Sequence, residues 1–374
     1  MTTSKPARDA GVHVVHGTDC SYYTGKIEAY LRAKGIAYRL EPFTPTSLRR
    51  CARSTGVLQV PQIECPDGSW LIDTTPTIAY LESVEPRPTV TPADPVVRFI
   101  SLLLEDYADE WLWRPAMHYR WSYRPTARLM STWLAEHLHE IPVPLFLKRR
   151  YFYRRQLGTF VKRDGVTDAT KAAVEASYHD TLTAFESILA EQPFLLGARP
   201  TQADFGFFAS MFRHFFSDPA PARIMRATAP RSHEWVARMW NLRPEALADA
   251  PMPDEVSPLL APLLADVTKI YMPYLAANAR AHESGDKTVT YSVQGVTFTE
   301  PTKPYRVWCL GELGRALMKL TDEERSKVAA ALGDDEAFEI LSRPPSASMP
   351  APPPQLPIAA DRRVKPLDSW WRAR

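Results

Sequence analysis

Two short segments place polar side chains where the chain turns into a helix. The first is the loop Gly17-Thr18-Asp19-Cys20-Ser21-Tyr22-Tyr23-Thr24, which follows a strand-like run. The second is Asp73-Thr74-Thr75-Pro76, with Asp or Thr in the N-cap position and proline in the first turn. The first N–H groups of a helix lack intrahelical acceptors and the helix dipole adds partial positive charge, so both segments favour an anion. Val60-Pro61 lies between them, ahead of a β-hairpin. Other chemistry is sparse. Cys20, Cys51, Cys65 and Cys309 form no Cys-x-x-Cys or Cys/His spacing. His13, His16, His137, His139 and His233 have no third ligand at metal spacing, so no metal is expected. The sequence holds neither a phosphate-cradling glycine loop nor Gly-x-Ser-x-Gly.

The elements that position these segments can be read from periodicity. Residues 12–15 form a strand, Thr24 to Ala33 a helix stopped at Lys34-Gly35, and Ile36 to Glu41 a second strand. A short helix covers Leu48 to Thr55. Strands Gln62–Glu64 and Ser69–Ile72 flank a Pro-Asp-Gly turn, and Thr75 to Val84 is helical. These define an α/β domain over residues 1–88. A proline-rich link follows. An all-helical domain then spans 95–242, with helices at Val96–Arg120, Pro125–His139, Lys148–Val161, Thr167–Glu191, Thr201–Phe216 and Ala229–Asn241. A mainly helical extension covers 243–342. It holds a helix at Ser257–His282 that Pro273 kinks or splits, a strand pair at 288–299, and helices at Tyr305–Leu320 and Asp322–Leu332. Residues 343–374 form a proline-rich tail, low in complexity over 343–357.

Composition narrows the function classes. The 374 residues suggest two or three domains, and 45% hydrophobic with 24% charged residues is the balance of a globular protein. The net charge of +2 gives no overall field for nucleic acid, which is not an expected partner. No apolar stretch reaches the roughly 18 residues of a membrane span. The polar Met1–Ala10 segment does not read as a secretory signal. Scarce cysteine fits a reducing cytosol, so a cytoplasmic protein is expected.

The segments VPQIECPDGSWLIDTTPTIAYLE (60–82), KIEAYLRAKGIAY (26–38) and FLLGARPTQADFGFFASMF (194–212) resemble the glutathione transferase superfamily, in family order and spacing. Thr201-Gln-Ala-Asp204 has the capping-box form of that family's buried C-terminal helix. The resemblance covers about residues 12 to 242. It implies a thioredoxin-like domain followed by an all-α domain, glutathione as co-substrate, and a homodimer. It also implies roles. Val60 would pair its backbone with the cysteinyl part of glutathione like an added strand, beside a cis Pro61. Thr74 would take the γ-glutamyl carboxylate and Asp73 the ammonium, although aspartate replaces the family's longer glutamate. Ser21 falls on the activating position, where a hydroxyl and a helix N-terminus favour thiolate over thiol. Cys20, one residue earlier, is the rival: it would form a mixed disulfide with glutathione and make the chain a reductase. Tyr22 and Tyr23 are further phenols near the sulfur.

The helix from Val96 carries Tyr107, Trp111 and His118 at i, i+4 and i+11. In the family such a helix borders the acceptor pocket, so this face is expected either to meet an apolar electrophile or to pack as core. The extension's strand pair is expected to lie over the pocket mouth. The run Lys148–Arg155 with Lys162-Arg163 is the one local cluster of cations. It reads as a solvated helix face over a buried apolar stripe, or else as a surface for anionic lipid or an acidic partner. The run is also similar to the metaxin-like branch, which gives a second function class: a non-catalytic binding module of the same fold. The leading expectation is a transferase that activates the glutathione thiol for attack on an apolar small-molecule electrophile.

Overall fold

The alternating run His13–Gly17 forms β1, whose inner side chains are buried, and it organises the N-terminal sheet. The computed structural model describes residues 11–343 and 355–359. The Met1–Ala10 segment and most of the proline-rich tail lie outside them. After β1 come α1 (Tyr22–Lys34), β2 (Tyr38–Pro42), α2 (Pro45–Thr55), β3 (Gln62–Glu64), β4 (Trp70–Ile72) and α3 (Thr74–Val84). The sheet order is β2-β1-β3-β4, with β1 parallel to β2 and antiparallel to β3, and β3 antiparallel to β4. This is the expected thioredoxin-like α/β domain with a mixed sheet. Gly35 ends α1 at φ 69°, and Thr44 caps α2, starting that helix at Pro45.

The helical domain contains α4 (Pro95–Glu110), α5 (Trp113–Ser122), α6 (Arg124–Glu136), α7 (Leu145–Phe160), α8 (Lys171–Glu191), α9 (Gln202–Ser210), α10 (Pro219–Thr228) and α11 (Pro230–Trp240). Helices α4 and α9 pack closely because Gly206 lacks a side chain: a Cβ there would sit 2.9 Å from the Glu105 Cα. The expected single helix over 96–120 is two, broken at Trp111-Leu112, whose side chains are buried at the corner. The expected helix over 201–216 changes to a π-helical turn at Met211–Phe216. Helix α10 was not legible because its two prolines and three alanines leave few large apolar side chains to mark a face.

The extension consists of α12 (Pro244–Asp249), α13 (Ala261–Asp266), α14 (Met272–Glu283), the hairpin β5 (Thr288–Val293) and β6 (Val296–Pro301), and then α15 (Pro304–Met318), α16 (Asp322–Leu332) and α17 (Asp335–Ser342). The expected split near Pro273 falls at a π-helical turn, Val267–Tyr271, with the proline in the first turn of α14. Leu260, Leu263, Val267, Leu313 and Leu317 share one apolar core with the helical domain. A second small core joins Tyr305, Trp308 and Cys309 of α15 to Cys51, Val57, Trp70 and Ile72 of the N-terminal domain. Ile358 joins this core. Its N–H and C=O each make a 2.8 Å bond with Trp70, pairing the tail with β4. That part of the tail is therefore tied to the sheet, while most of the low-complexity run 343–357 lies outside the described residues. No helix among the described residues is long and apolar enough to cross a membrane.

Candidate functional site

The turn between β1 and α1 is held from both sides. A Cβ at Gly17 would meet the Thr24 hydroxyl oxygen at 2.5 Å, so glycine allows the strand to pass the first turn of the helix. The Ser21 N–H donates to the Thr18 carbonyl at 3.0 Å. Ser21 is extended and caps α1, its Oγ accepting from the Thr24 N–H at 3.4 Å. That leaves the serine O–H to donate outward. Arg120 of α5 fixes the preceding residue, donating to the Cys20 carbonyl at 2.6 Å. The guanidinium is itself held by the buried Asp218 carboxylate at 2.8 and 3.1 Å.

This turn opens on a cavity of about 960 Å³. Cys20, Ser21, Tyr23 and Val60 form its polar end, and Trp113, Met117, Phe152 and Phe160 are among its apolar walls. Glu110 and Arg306 also line it and form an ion pair with each other. A narrow cleft of about 30 Å³ adjoins the cavity, lined by Val57, Pro61, Ile72, Asp73 and Thr74 and sharing Tyr23, Gln59 and Val60 with it. The Val60-Pro61 bond is cis. Asp73 has φ 64°, a costly conformation for a residue with a Cβ. Its carboxylate accepts a 2.9 Å bond from the Tyr305 hydroxyl. The Thr74 hydroxyl is buried without a hydrogen-bond partner.

Buried charge links the two helix starts. The Lys26 ammonium of α1 lies 2.5 Å from both Glu105 and Asp109 of α4. Burial works to lower the Lys26 pKa, but the two carboxylates outweigh it and hold the group above its ordinary value. Glu105 also accepts from the Thr75 hydroxyl and from the Gln202 amide, each at 2.9 Å. The Cys20 sulfur is 3.6 Å from the Thr18 hydroxyl, and burial pushes its thiol pKa up despite nearby Arg120. His214, another cavity residue, is held neutral by burial, far below the usual imidazole value.

The structure thus brings Ser21, Cys20 and Val60 to the large cavity, and Val60, Pro61, Asp73 and Thr74 to the cleft beside it. It does not bring Tyr107, Trp111 and His118 there. The Tyr107 hydroxyl faces Asp266 at 3.5 Å and the Trp111 indole donates to Ser177 at 3.2 Å. His118 lies between Glu175 and Ser122, 2.9 Å from each. All three are buried in the helical core, because the break at Trp111-Leu112 destroys the continuous face their spacing implied. The Tyr22 and Tyr23 hydroxyls are turned away from the turn, donating to the Ala108 and Asp109 carbonyls at 2.6 and 2.9 Å. The β5–β6 hairpin packs against Trp111 and Arg114 rather than over the cavity mouth. That mouth is lined instead by Ile141, Val143, Leu147 and Tyr151. Sequence reasoning missed Tyr305, Arg306, Glu110 and Arg120. The extension pair is more than two hundred residues from the turn, and nothing local marks it. Arg120 is a charged residue amid an aromatic run, which was the available signal.

Residues 15–89 match the glutathione S-transferase N-terminal domain, and residues 168–238 match the glutathione S-transferase C-terminal domain. No curated protein matches the chain. Among solved structures, a glutathione S-transferase from Rhodospirillum rubrum F11 is 15% identical, covering 67% of this chain and 91% of its own, with TM-score 0.41. A glutathione S-transferase from Methylobacterium radiotolerans JCM 2831, in complex with glutathione sulfonate, is 15% identical over 66% of this chain and 97% of its own, with TM-score 0.38. The β-etherase LigF from Sphingobium sp. strain SYK-6 is 20% identical over 63% and 97%, with TM-score 0.45.

Proposed function

The chain belongs to the glutathione S-transferase superfamily, and on that premise we propose that it is a transferase that activates the glutathione thiol for attack on an apolar electrophile. The observation that carries this reading is the adjacency of the two spaces. A narrow cleft carrying Val60, Pro61 and the polar Asp73 and Thr74 side chains adjoins a large, mainly apolar cavity on which Ser21 opens. Cavities of roughly 300–1,000 Å³ hold small molecules, and this one is at the upper end, with room for a co-substrate beside the thiol.

The residues fit the tripeptide. The orphaned Thr74 hydroxyl is a donor awaiting an acceptor such as the γ-glutamyl carboxylate. Asp73 would take the ammonium, in place of the Tyr305 hydroxyl that donates to it here. The Val60 backbone would pair with the cysteinyl part. Glutathione supplies the nucleophilic sulfur. Ser21 donates its hydroxyl proton toward that sulfur, and the first turn of α1 adds positive potential, both favouring thiolate. The apolar walls exclude water and hold the electrophile. The Cys20 reductase reading is not favoured, because burial opposes the thiolate it requires. Four buried, unpaired thiols support a reducing, cytosolic setting. Homodimerisation is proposed on the family resemblance alone.

Calorimetric titration of glutathione into the full chain tests the assignment. Thr74→Ala should weaken binding by about 1–3 kcal/mol, since a carboxylate loses its donor. Unchanged affinity in a Thr74→Ala, Asp73→Ala double variant would remove the site from these residues.

A further inference from the structure

The loop before α7 is apolar and uncovered. Residues 141–147 read Ile-Pro-Val-Pro-Leu-Phe-Leu and all are exposed, with Phe146 at 66% and Leu145 at 45%. Within α7 Phe152 is buried and Leu157 and Phe160 are partly buried against the core, so the apolar stripe expected beneath the cations runs from Phe152 onward and does not reach the tip. A contiguous exposed apolar patch of this kind marks an interaction surface.

The charge around it is one-sided. Residues 124–160 hold seven Lys and Arg side chains against two Glu, although the whole chain is only +2. Among the described residues, no carboxylate forms an ion pair with Lys148, Arg149, Arg150, Arg154 or Arg155, all within two turns of the apolar tip. Part of the tip's backbone is satisfied within the loop. Pro142 and Pro144 have no N–H, and the N–H groups of Ile141, Val143 and Leu147 donate to Leu138, Ile141 and Pro144 carbonyls at 3.0, 2.8 and 3.0 Å. The N–H groups of Leu145 and Phe146, in the uncapped first turn of α7, remain to add positive potential beside the cations, which suits an anionic headgroup. Apolar side chains flanked by arginines then match a lipid surface with anionic headgroups.

We propose that the α6–α7 hairpin docks the protein on an anionic bilayer, with the 141–147 tip inserted and the arginines of α7 on headgroup phosphates. Ile141, Val143 and Leu147 also line the cavity mouth, so docking turns that mouth toward the membrane and admits lipophilic compounds from it. The docking surface does not depend on glutathione binding.

Co-sedimentation of the full chain with extruded vesicles tests this. Vesicles of phosphatidylcholine with phosphatidylglycerol should carry the protein down at low salt, and phosphatidylcholine alone should carry far less. Phe146→Glu, and Arg150→Glu with Arg154→Glu, should each weaken partitioning roughly tenfold or more. None of these three lines the cavity, so glutathione affinity and the near-ultraviolet circular dichroism should stay as in the parent. The proposal is overturned if the parent stays in the supernatant with anionic vesicles, or if the charge-reversed variant sediments as the parent does. It is equally overturned if the patch is covered by a second copy: a dimer in sedimentation velocity that Phe146→Glu dissociates, without vesicle binding.

Discussion

The Tyr305 hydroxyl donates a 2.9 Å hydrogen bond to the Asp73 carboxylate across 232 residues of sequence. The last third of the chain thereby reaches the polar end of the cleft in the first. An ammonium arriving at Asp73 must compete with that phenol. Tyr305→Phe is expected to tighten glutathione binding by roughly tenfold or more, the net worth of one hydrogen bond to a charged group. Calorimetry checks it. Unchanged or weaker affinity would mean that Tyr305 orients Asp73 rather than competing for it.

Ser21 should matter to rate more than to affinity. Its hydrogen bond strengthens as the sulfur gains charge, so Ser21→Ala should lower turnover by up to about 10²-fold at nearly constant glutathione affinity. Cys20→Ala should leave turnover close to that of the parent, since burial disfavours its thiolate. Steady-state kinetics with an apolar electrophile separate the two. Loss of activity in the cysteine variant alone would move the chemistry to Cys20.

Acid should stabilise one corner of the fold. Burial, reinforced by Asp180, pushes the Asp266 pKa up to about 7, and the Tyr107 hydroxyl that faces it only partly offsets this. A carboxyl that binds its proton more tightly when folded adds stability below its unfolded pKa and loses it as pH rises through the folded one. The contribution therefore falls between about pH 4 and pH 7. Asp266→Asn should stabilise the fold at pH 8 by on the order of 2 kcal/mol after allowance for partial exposure, seen as a raised melting temperature with a flatter pH dependence. Thermal melts from pH 5 to pH 8 check the slope.

Removing residues 344–374 should cost stability. Ile358 is fully buried and pairs with Trp70 through two 2.8 Å backbone bonds. The truncation uncovers β4 and the small core around Trp70, Cys309 and Tyr305. A lowered melting temperature and a tendency to self-associate are expected, read by calorimetry and light scattering. A chain that melts as the parent does would show that the β4 pairing contributes nothing.

Local signals made much of this protein legible. Glycine at position 35 stopped α1, Pro-Asp-Gly marked the β3–β4 turn, and α16 starts at Asp322 as the sequence predicts. The two helix starts, and with them Ser21 and Thr74, came from the same short-range chemistry. What failed was inference over longer stretches. The Tyr107–His118 spacing assumed an unbroken helix, and tertiary packing of Trp111 and Leu112 bent it. The aromatics of α7 were expected to need burial, yet Tyr151 is 57% exposed. Tyr305 and Arg306 could not be found locally, because their role depends on where the extension packs.

The Lys26 ammonium, shared between Glu105 and Asp109, bears on how the molecule can move. It is a rivet between the sheet domain and the helical domain. Swinging the two apart would break both charge contacts together with the apolar packing of α1 on the helical domain around them. The seam between the two domains is therefore fastened by both charge and packing. Breathing that admits and releases molecules must come from the least buried wall of the cavity, the α6–α7 hairpin, and its rate should track whatever that hairpin rests upon.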